Sequence, residues 1–114
     1  MGTHKAERCD YPDVAKTLAN AVLKESNSLG VLVCGTGIGI SIAANKVDGI
    51  RCALCHDHYT ASMAKKHNNA NVLALGGRVL GVELAKDIMQ TYLETQFEGG
   101  RHEKRVNKIM ALQN

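Results

Sequence analysis

The chain has 114 residues, of which 45% are hydrophobic, and these values suit a single domain with its own core over residues 1–114. Its net charge of +3 is too small to indicate nucleic-acid binding. No apolar run is long enough to span a bilayer and no signal peptide opens the sequence. We therefore expect a soluble cytoplasmic protein whose cysteines are reduced.

The predicted elements alternate between helices and short apolar strands. After a polar segment over residues 1–9, a helix is predicted over 11–24, with Pro12 in the first turn, where its missing N–H costs nothing. The further elements, in chain order, are a strand over 31–34, a helix over 40–45, a strand over 50–55, a helix over 57–66, a strand over 71–75, and helices over 79–95 and 101–112. This order predicts an α/β fold, a three-layer sandwich with a Rossmann-like parallel sheet. Ligands of such sheets bind at the carboxyl ends of the strands, which here are Cys34, Cys55 and Gly76.

The strongest local signal is a glycine-rich turn that follows the first predicted strand. It reads Cys34-Gly35-Thr36-Gly37-Ile38-Gly39-Ile40-Ser41. Alternating glycines permit a tight turn whose amides come close to a ligand, and the helix that follows favours an anion. The spacing matches neither the dinucleotide fingerprint, which would need glycine at position 40, nor a P-loop, which would need Lys before Ser or Thr. Both an anion or oxyanion site and a purely structural turn remain open.

Several side chains near this turn or on the last helix have suitable chemistry. Cys34 lies where strand becomes turn, and a thiol beside a helix N-terminus can act as a base or nucleophile, although a lone cysteine is also typical of a core. His67 suits proton transfer near neutral pH, or it is a surface residue at a helix end. Arg101 and Arg105 lie four residues apart on one helix face and can grip a phosphate, or they belong to a solvated face.

Two other groups contain metal-ligand residue types without the spacing of a complete site. Cys52 and Cys55 have CxxC spacing but lack two further ligands, so we interpret them as buried strand cysteines. His56, Asp57 and His58 likewise lack partners at a matching spacing. We expect no metal and no cofactor.

Taken together, several separated segments resemble the ribose-5-phosphate isomerase B family, which also includes galactose-6-phosphate isomerase subunits. The resemblance covers nearly the whole chain, from residue 2 to about residue 109, and the motifs occur in the family's order. The segments that carry it are Asp10-Tyr11-Pro12, the run from Cys34 to Lys46, Lys66-His67-Asn68, Asn71 to Ala74, Gly77-Arg78, Glu83-Leu84-Ala85, and Phe97-Glu98-Gly99-Gly100-Arg101-His102 with Arg105-Val106.

The resemblance implies an aldose–ketose isomerase of the pentose phosphate pathway that works through an enediolate without a metal. Cys34 would be the base that moves the proton between C1 and C2. Thr36 and the loop amides would stabilise the enediolate oxygen, and His67 would assist ring opening. The substrate-binding residues that it implies are Asp10, Tyr11, Gly35, Gly37, Ile38, Gly39, Asn68, Arg78, Arg101 and Arg105.

Members of this family are typically homodimers or homotetramers with active sites at the subunit interface. The resemblance therefore implies that His67, Asn68 and Arg78 come from the neighbouring subunit. Some members use a glutamate base a few residues beyond the cysteine position; here residues 40–42 are Ile, Ser and Ile, so the cysteine-dependent subtype is implied. A single chain with both Cys34 and His67 favours ribose 5-phosphate. A galactose-6-phosphate isomerase subunit and a non-catalytic sugar-phosphate-binding relative are the alternatives.

One departure from the family pattern concerns the N-terminus. Family members begin with a strand, a Ser-Asp-His-Ala-Gly turn, a helix and a second strand, and none of these precedes Met1. This unit, roughly 30 residues long, supplies an Asp for the sugar and a His for the phosphate in the family. We expect an N-terminally shortened member in which the strand over 31–34 is an uncovered apolar edge, unless assembly hides it.

Overall fold

The computed structural model describes residues 10–113, so the polar segment over residues 1–9, including Cys9, lies outside the described residues. The elements in this range are α1 (Tyr11–Lys24), β1 (Gly30–Cys34), α2 (Ile38–Asn45), β2 (Cys52–Leu54), α3 (His58–Lys66), β3 (Val72–Gly76), α4 (Val82–Glu94) and α5 (Arg101–Met110). Each predicted element is present, and the α/β architecture is confirmed. Within residues 10–113, no helix is both long enough and apolar enough to cross a membrane.

The three strands form one parallel sheet in the order β1-β3-β2. The register pairs Cys34 of β1 with Gly76 of β3, and Leu54 of β2 with Ala74 of β3. The carboxyl ends of the strands therefore meet at one end of the sheet, which we call the carboxyl end. β1 is an edge strand of this sheet, and its Val33 is 57% exposed, as expected from the comparison with the family pattern.

Helices cover both faces of the sheet, which confirms the three-layer arrangement. Against one face, α1 and α2 pack through small and branched residues such as Ala15, Ala19 and Ile40. Against the other face, α3 and α4 contribute Ala61 and Tyr92 among others. The central strand β3 is buried along its whole length because helices cover it above and below, and this explains its continuous apolar run.

Local hydrogen bonds explain where the elements begin. Asp57 caps α3, with its side chain accepting from the Thr60 amide at 2.7 Å. β2 begins later than predicted because the Arg51 amide donates to the Asn71 side chain at 2.7 Å before the ladder starts. α4 also begins later, because the Val79 and Leu80 amides bond back to the Gly76 carbonyl and hold the chain in a turn.

Candidate active site

The loop between β1 and α2 is shaped by Gly37, which adopts a positive φ of 79° as it begins α2. A Cβ atom at this position would lie 2.5 Å from Leu54 Cδ1 and 2.9 Å from the backbone carbonyl carbon of Leu75. Both the left-handed conformation and the close approach to β3 therefore require glycine here. The loop is held tightly over the carboxyl end of the sheet.

Cys34 lies at the start of this loop and is only partly buried. The Gly37 amide donates to the Cys34 sulfur at 3.2 Å, and the Ile38 amide donates to Thr36 Oγ1 at 3.2 Å. The Cys34 thiol therefore lies in a polar loop with access to solvent.

The turn after β3 packs directly on the cysteine loop. The Gly77 amide donates to the Cys34 carbonyl at 2.8 Å, and the Arg78 amide donates to the Gly35 carbonyl at 3.0 Å. The Arg78 guanidinium consequently lies over Gly35, with its Nη1 3.5 Å from the position of a Cβ on that glycine. The described protomer thus brings its own Arg78 to its own Cys34 loop, which differs from the expectation that the neighbouring subunit supplies Arg78.

Tyr11 and Asp10 complete the group at the carboxyl end. The hydroxyl of Tyr11 would be 2.6 Å from a Cβ on Gly39, so the ring rests on the backbone at the start of α2. Asp10 is exposed and its carboxylate makes no capping hydrogen bond with α1, which leaves it free to accept from a ligand hydroxyl. The sequence-predicted residues of the Cys34 loop, Asp10, Tyr11 and Arg78 therefore form one cluster.

His67 lies in a second cluster, at the C-terminal end of α3. Its ring stacks on that of His102, with centroids 4.0 Å apart and an interplanar angle of 13°. His102 Nε2 is 3.5 Å from a carboxylate oxygen of Glu98. Burial lowers the pKa of His102, and the neighbouring His67 and Arg101 lower it further, whereas Glu98 raises it. Sequence reasoning missed Glu98 and His102 as functional candidates, although both lie in the quoted segment from Phe97 to His102.

The basic residues of α5 share one groove. It encloses about 280 Å³ and is lined by Arg101, Lys104, Arg105 and Lys108. All four side chains are exposed and repeat at helical spacing, so they point to the same side. The groove offers the paired donors that a phosphate group requires.

The two clusters lie at opposite ends of the sheet. Cys34 ends β1, whereas the segment from His67 to Asn71 leads into the beginning of β3, at what we call the amino end. The Glu98 amide donates to the Lys66 carbonyl at 3.1 Å, which ties the start of α5 to that end. A strand of this length separates the two ends by roughly 13 Å. One protomer therefore does not bring its own Cys34 and His67 together.

Asn68 is exposed beside His67 and lines a cavity of about 280 Å³ with residues that include Cys52 and Ile109. A cavity of about 620 Å³ also opens at the amino end, around Arg51, Lys65 and Asn71. It contains none of the predicted site residues.

The remaining candidate ligands have structural explanations. Burial raises the pKa of Cys52 to about 12, and burial also raises the pKa of Cys55, so both thiols stay protonated in the strand region. His58 lies 3.3 Å from Asp87 on the surface, and Asp57 serves as a helix cap. These residues do not combine into a metal site.

The fold and the two clusters define a parallel α/β protein with a histidine, a cationic groove and a solvent-accessible thiol that accepts a hydrogen bond from the Gly37 amide. These are the components for moving a proton on an anionic substrate. A sequence profile described as Ribose/Galactose Isomerase matches residues 1–109. The chain belongs to this family.

Individual relatives agree with this assignment. The chain is 51% identical over 112 residues to ribose-5-phosphate isomerase B of Escherichia coli (strain K12), covering 98% of this chain and 75% of the relative. It is 57% identical over 99 residues to D-erythrulose-4-phosphate isomerase of Pectobacterium atrosepticum, covering 87% of this chain and 65% of that one.

Solved structures support the same family assignment. The ribose-5-phosphate isomerase B of Clostridium thermocellum superposes with a TM-score of 0.95 at 53% identity, covering 98% of this chain and 76% of that one. The ribose-5-phosphate isomerase B of Mycoplasma genitalium, solved with bound ribulose-5-phosphate, superposes with a TM-score of 0.94 at 42% identity, covering 99% of this chain and 76% of that one. This chain spans about three quarters of the length of these enzymes.

Proposed function

We propose that this protein interconverts ribose 5-phosphate and ribulose 5-phosphate, with Cys34 as the base. The observation that carries the proposal is the hydrogen bond from the Gly37 amide to the Cys34 sulfur at the carboxyl end of β1. It supports a reactive thiol in a chain whose relatives include ribose-5-phosphate isomerases B. The free thiols of Cys34, Cys52 and Cys55 are consistent with action in the cytoplasm.

The reaction moves one proton from C2 to C1 and one proton from the C2 hydroxyl to the C1 oxygen, with no net redox change. The Cys34 thiolate takes the proton from C2 of the open-chain aldose, and the electron pair of the broken C–H bond forms the enediolate. The hydroxyl proton then passes from the C2 oxygen to the C1 oxygen, and the Cys34 thiol returns its proton to C1 to give the ketose. Amides of the loop between Gly35 and Gly39, with Thr36, stabilise the enediolate oxygen in this proposal, and preorganised donors of this kind are often the largest catalytic contribution.

Ring opening comes first and calls for a group that exchanges a proton with the ring oxygen. His67 suits this step because an imidazole can both donate and accept a proton. Arg101 and Arg105 bind the phosphate, and Asn68 contacts the sugar. Because these residues lie at the amino end of the sheet, they reach Cys34 only if they come from another copy of the chain. The complete site therefore combines the carboxyl end of one protomer with the amino end of a second, in a homodimer or homotetramer.

Co-expression of two inactive variants tests this arrangement. Cys34→Ala and His67→Ala each remove one half of the site, so each variant alone should lose turnover. A mixed dimer carries one intact site, and random pairing should restore about a quarter of the wild-type activity, since half of the dimers are mixed. Co-expression of two differently tagged Cys34→Ala chains is the matched control and should recover nothing. Absence of recovery in the mixed sample would contradict a site shared between subunits.

A second substrate is favoured by one comparison. The D-erythrulose-4-phosphate isomerase of Pectobacterium atrosepticum is 57% identical over its matched region, so a four-carbon sugar phosphate is the alternative substrate. Ratios of kcat/KM for ribose 5-phosphate, erythrulose 4-phosphate and galactose 6-phosphate distinguish these possibilities. Binding of all three sugars without turnover by folded protein would identify a non-catalytic sugar-phosphate-binding relative instead.

A further inference from the structure

Three side chains with metal-binding atoms meet at the amino end of the sheet. They are His67, Glu98 and His102, and one ligand atom from each lies within 4.8 Å of the others. The cluster is fixed by the backbone as well as by side chains, because the Glu98 amide donates to the Lys66 carbonyl and His102 lies in the first turn of α5. The arrangement is therefore a property of the fold rather than of one flexible side chain.

His102 supplies the second observation that points to a ligand. The residue is only 5% exposed, and its Nε2 atom is buried without a hydrogen-bond partner among residues 10–113. The nearly parallel stack with His67 prevents either ring from donating to the other. Glu98 is close, at 3.5 Å, but does not meet hydrogen-bond geometry. Buried polar atoms are seldom left unpaired in native proteins, so this nitrogen needs a partner.

We propose that His67, Glu98 and His102 form a binding site for a divalent transition-metal ion of the zinc type. Two imidazoles and one carboxylate are a typical zinc donor set that leaves a fourth position open. Metal–ligand bonds of about 2.0–2.2 Å require the three ligand atoms to converge slightly. Exposed Glu98 can rotate, and half-buried His67 can tilt away from the stack, while His102 stays in place.

The surrounding charge limits the affinity of this site. Arg101 and Arg105 lie on the same helix as His102 and oppose a cation, whereas the Glu98 carboxylate favours one. A phosphate bound to the arginines would reduce their repulsion. Bound metal would also occupy the imidazole of His67, so it should inhibit isomerisation. This consequence rests on the proposed function, whereas metal binding itself does not.

Titration of the full chain with Co²⁺, followed by absorption spectroscopy, tests the site directly. We expect one equivalent to bind with d–d bands of nitrogen and oxygen ligation and without the near-ultraviolet charge-transfer band of a thiolate. Glu98→Gln should weaken binding by about tenfold or more while leaving the fold intact, since the residue is exposed. His67→Gln, as a second variant, should weaken it similarly. His58→Gln is the matched control, because His58 also lies beside a carboxylate on the surface, and it should bind as the wild type does.

Unchanged Co²⁺ affinity in Glu98→Gln and His67→Gln, or a thiolate charge-transfer band, would overturn the proposal. Activity gives an independent result. Each variant's activity is compared with its own activity in the presence of a chelator, and added Zn²⁺ should inhibit the wild type at concentrations about tenfold lower than those that inhibit Glu98→Gln. If the wild type binds Co²⁺ as described but shows no turnover, the metal site stands and the proposed isomerase function fails.

Discussion

Replacing Gly37 with alanine should damage both stability and activity, because this residue shapes the loop that holds Cys34. Its φ of 79° is a left-handed conformation, which costs an L-residue roughly 1–2 kcal/mol. The new methyl would also lie 2.9 Å from the Leu75 carbonyl carbon and 3.0 Å from the Gly76 amide nitrogen. Backbone atoms of a central strand do not move easily, and overpacking of this kind costs about 1–3 kcal/mol.

The sum predicts that Gly37→Ala lowers the free energy of unfolding by about 2–5 kcal/mol. Urea denaturation followed by circular dichroism measures this change. Gly81→Ala is the matched control, because Gly81 has a negative φ and a Cβ there would meet no atom within 4 Å. It should change stability by less than about 1 kcal/mol.

The same substitution should also disturb catalysis, because the amide that contacts the Cys34 sulfur belongs to Gly37. In any fraction of Gly37→Ala that remains folded, we expect turnover to fall more than substrate affinity does. Equal stability losses for Gly37→Ala and Gly81→Ala would refute the structural reasoning. A stable Gly37→Ala variant with wild-type turnover would show that the loop geometry does not support the thiol.

Three further predictions concern other parts of the molecule. Arg101→Ala should weaken binding of the sugar phosphate by about 1.5–3 kcal/mol, measured by calorimetry, because it removes a charge-assisted contact. Lys46→Ala is the matched control. Equal affinities of the two variants would exclude Arg101 from the phosphate site. Burial lowers the pKa of His102, so the folded state binds fewer protons than the unfolded state just below about pH 6.5. The free energy of unfolding, measured by urea titration, should therefore decline as the pH falls through this window, and His102→Gln should reduce the decline. Identical pH profiles for the two proteins would contradict this role. Tyr92→Phe should lower the free energy of unfolding by about 1–3 kcal/mol, measured by thermal or urea unfolding. The buried hydroxyl donates to the Ala70 carbonyl at 2.9 Å, and that acceptor would lose its partner. A neutral result would indicate that water replaces the bond.

The sequence predicted the order and type of the elements well because their signals are local. The apolar run that becomes β3 lies between polar turns, and Asp57 occupies a cap position that its chemistry favours. The boundaries of β2 and α4 were less accurate. The start of β2 depends on a hydrogen bond between Arg51 and Asn71, which lie far apart in the chain, and the start of α4 depends on a turn closed on the Gly76 carbonyl. No periodicity along the chain contains that information.

The candidate site was predictable only in part, for a similar reason. Glycine spacing and strand position, both visible in the sequence, indicate Cys34 as a candidate. The contact between Arg78 and Gly35 depends on β1 and β3 being neighbours in the sheet, which the order of elements does not specify. The stack of His67 on His102 joins the C-terminal end of α3 to the first turn of α5, and no local sequence pattern predicts such a tertiary contact.

The role of Cys34 as the base is the central claim, and a comparison of wild type with Cys34→Ala tests it most directly. The conversion of ribose 5-phosphate to ribulose 5-phosphate should be measured together with the affinity for a sugar-phosphate inhibitor. We predict clear turnover by the wild type and a loss of at least about a hundredfold in kcat for Cys34→Ala, with the affinity changed by only a few-fold, since the thiol acts on a proton. Wild-type turnover in Cys34→Ala, or no turnover from folded wild type, would contradict the account.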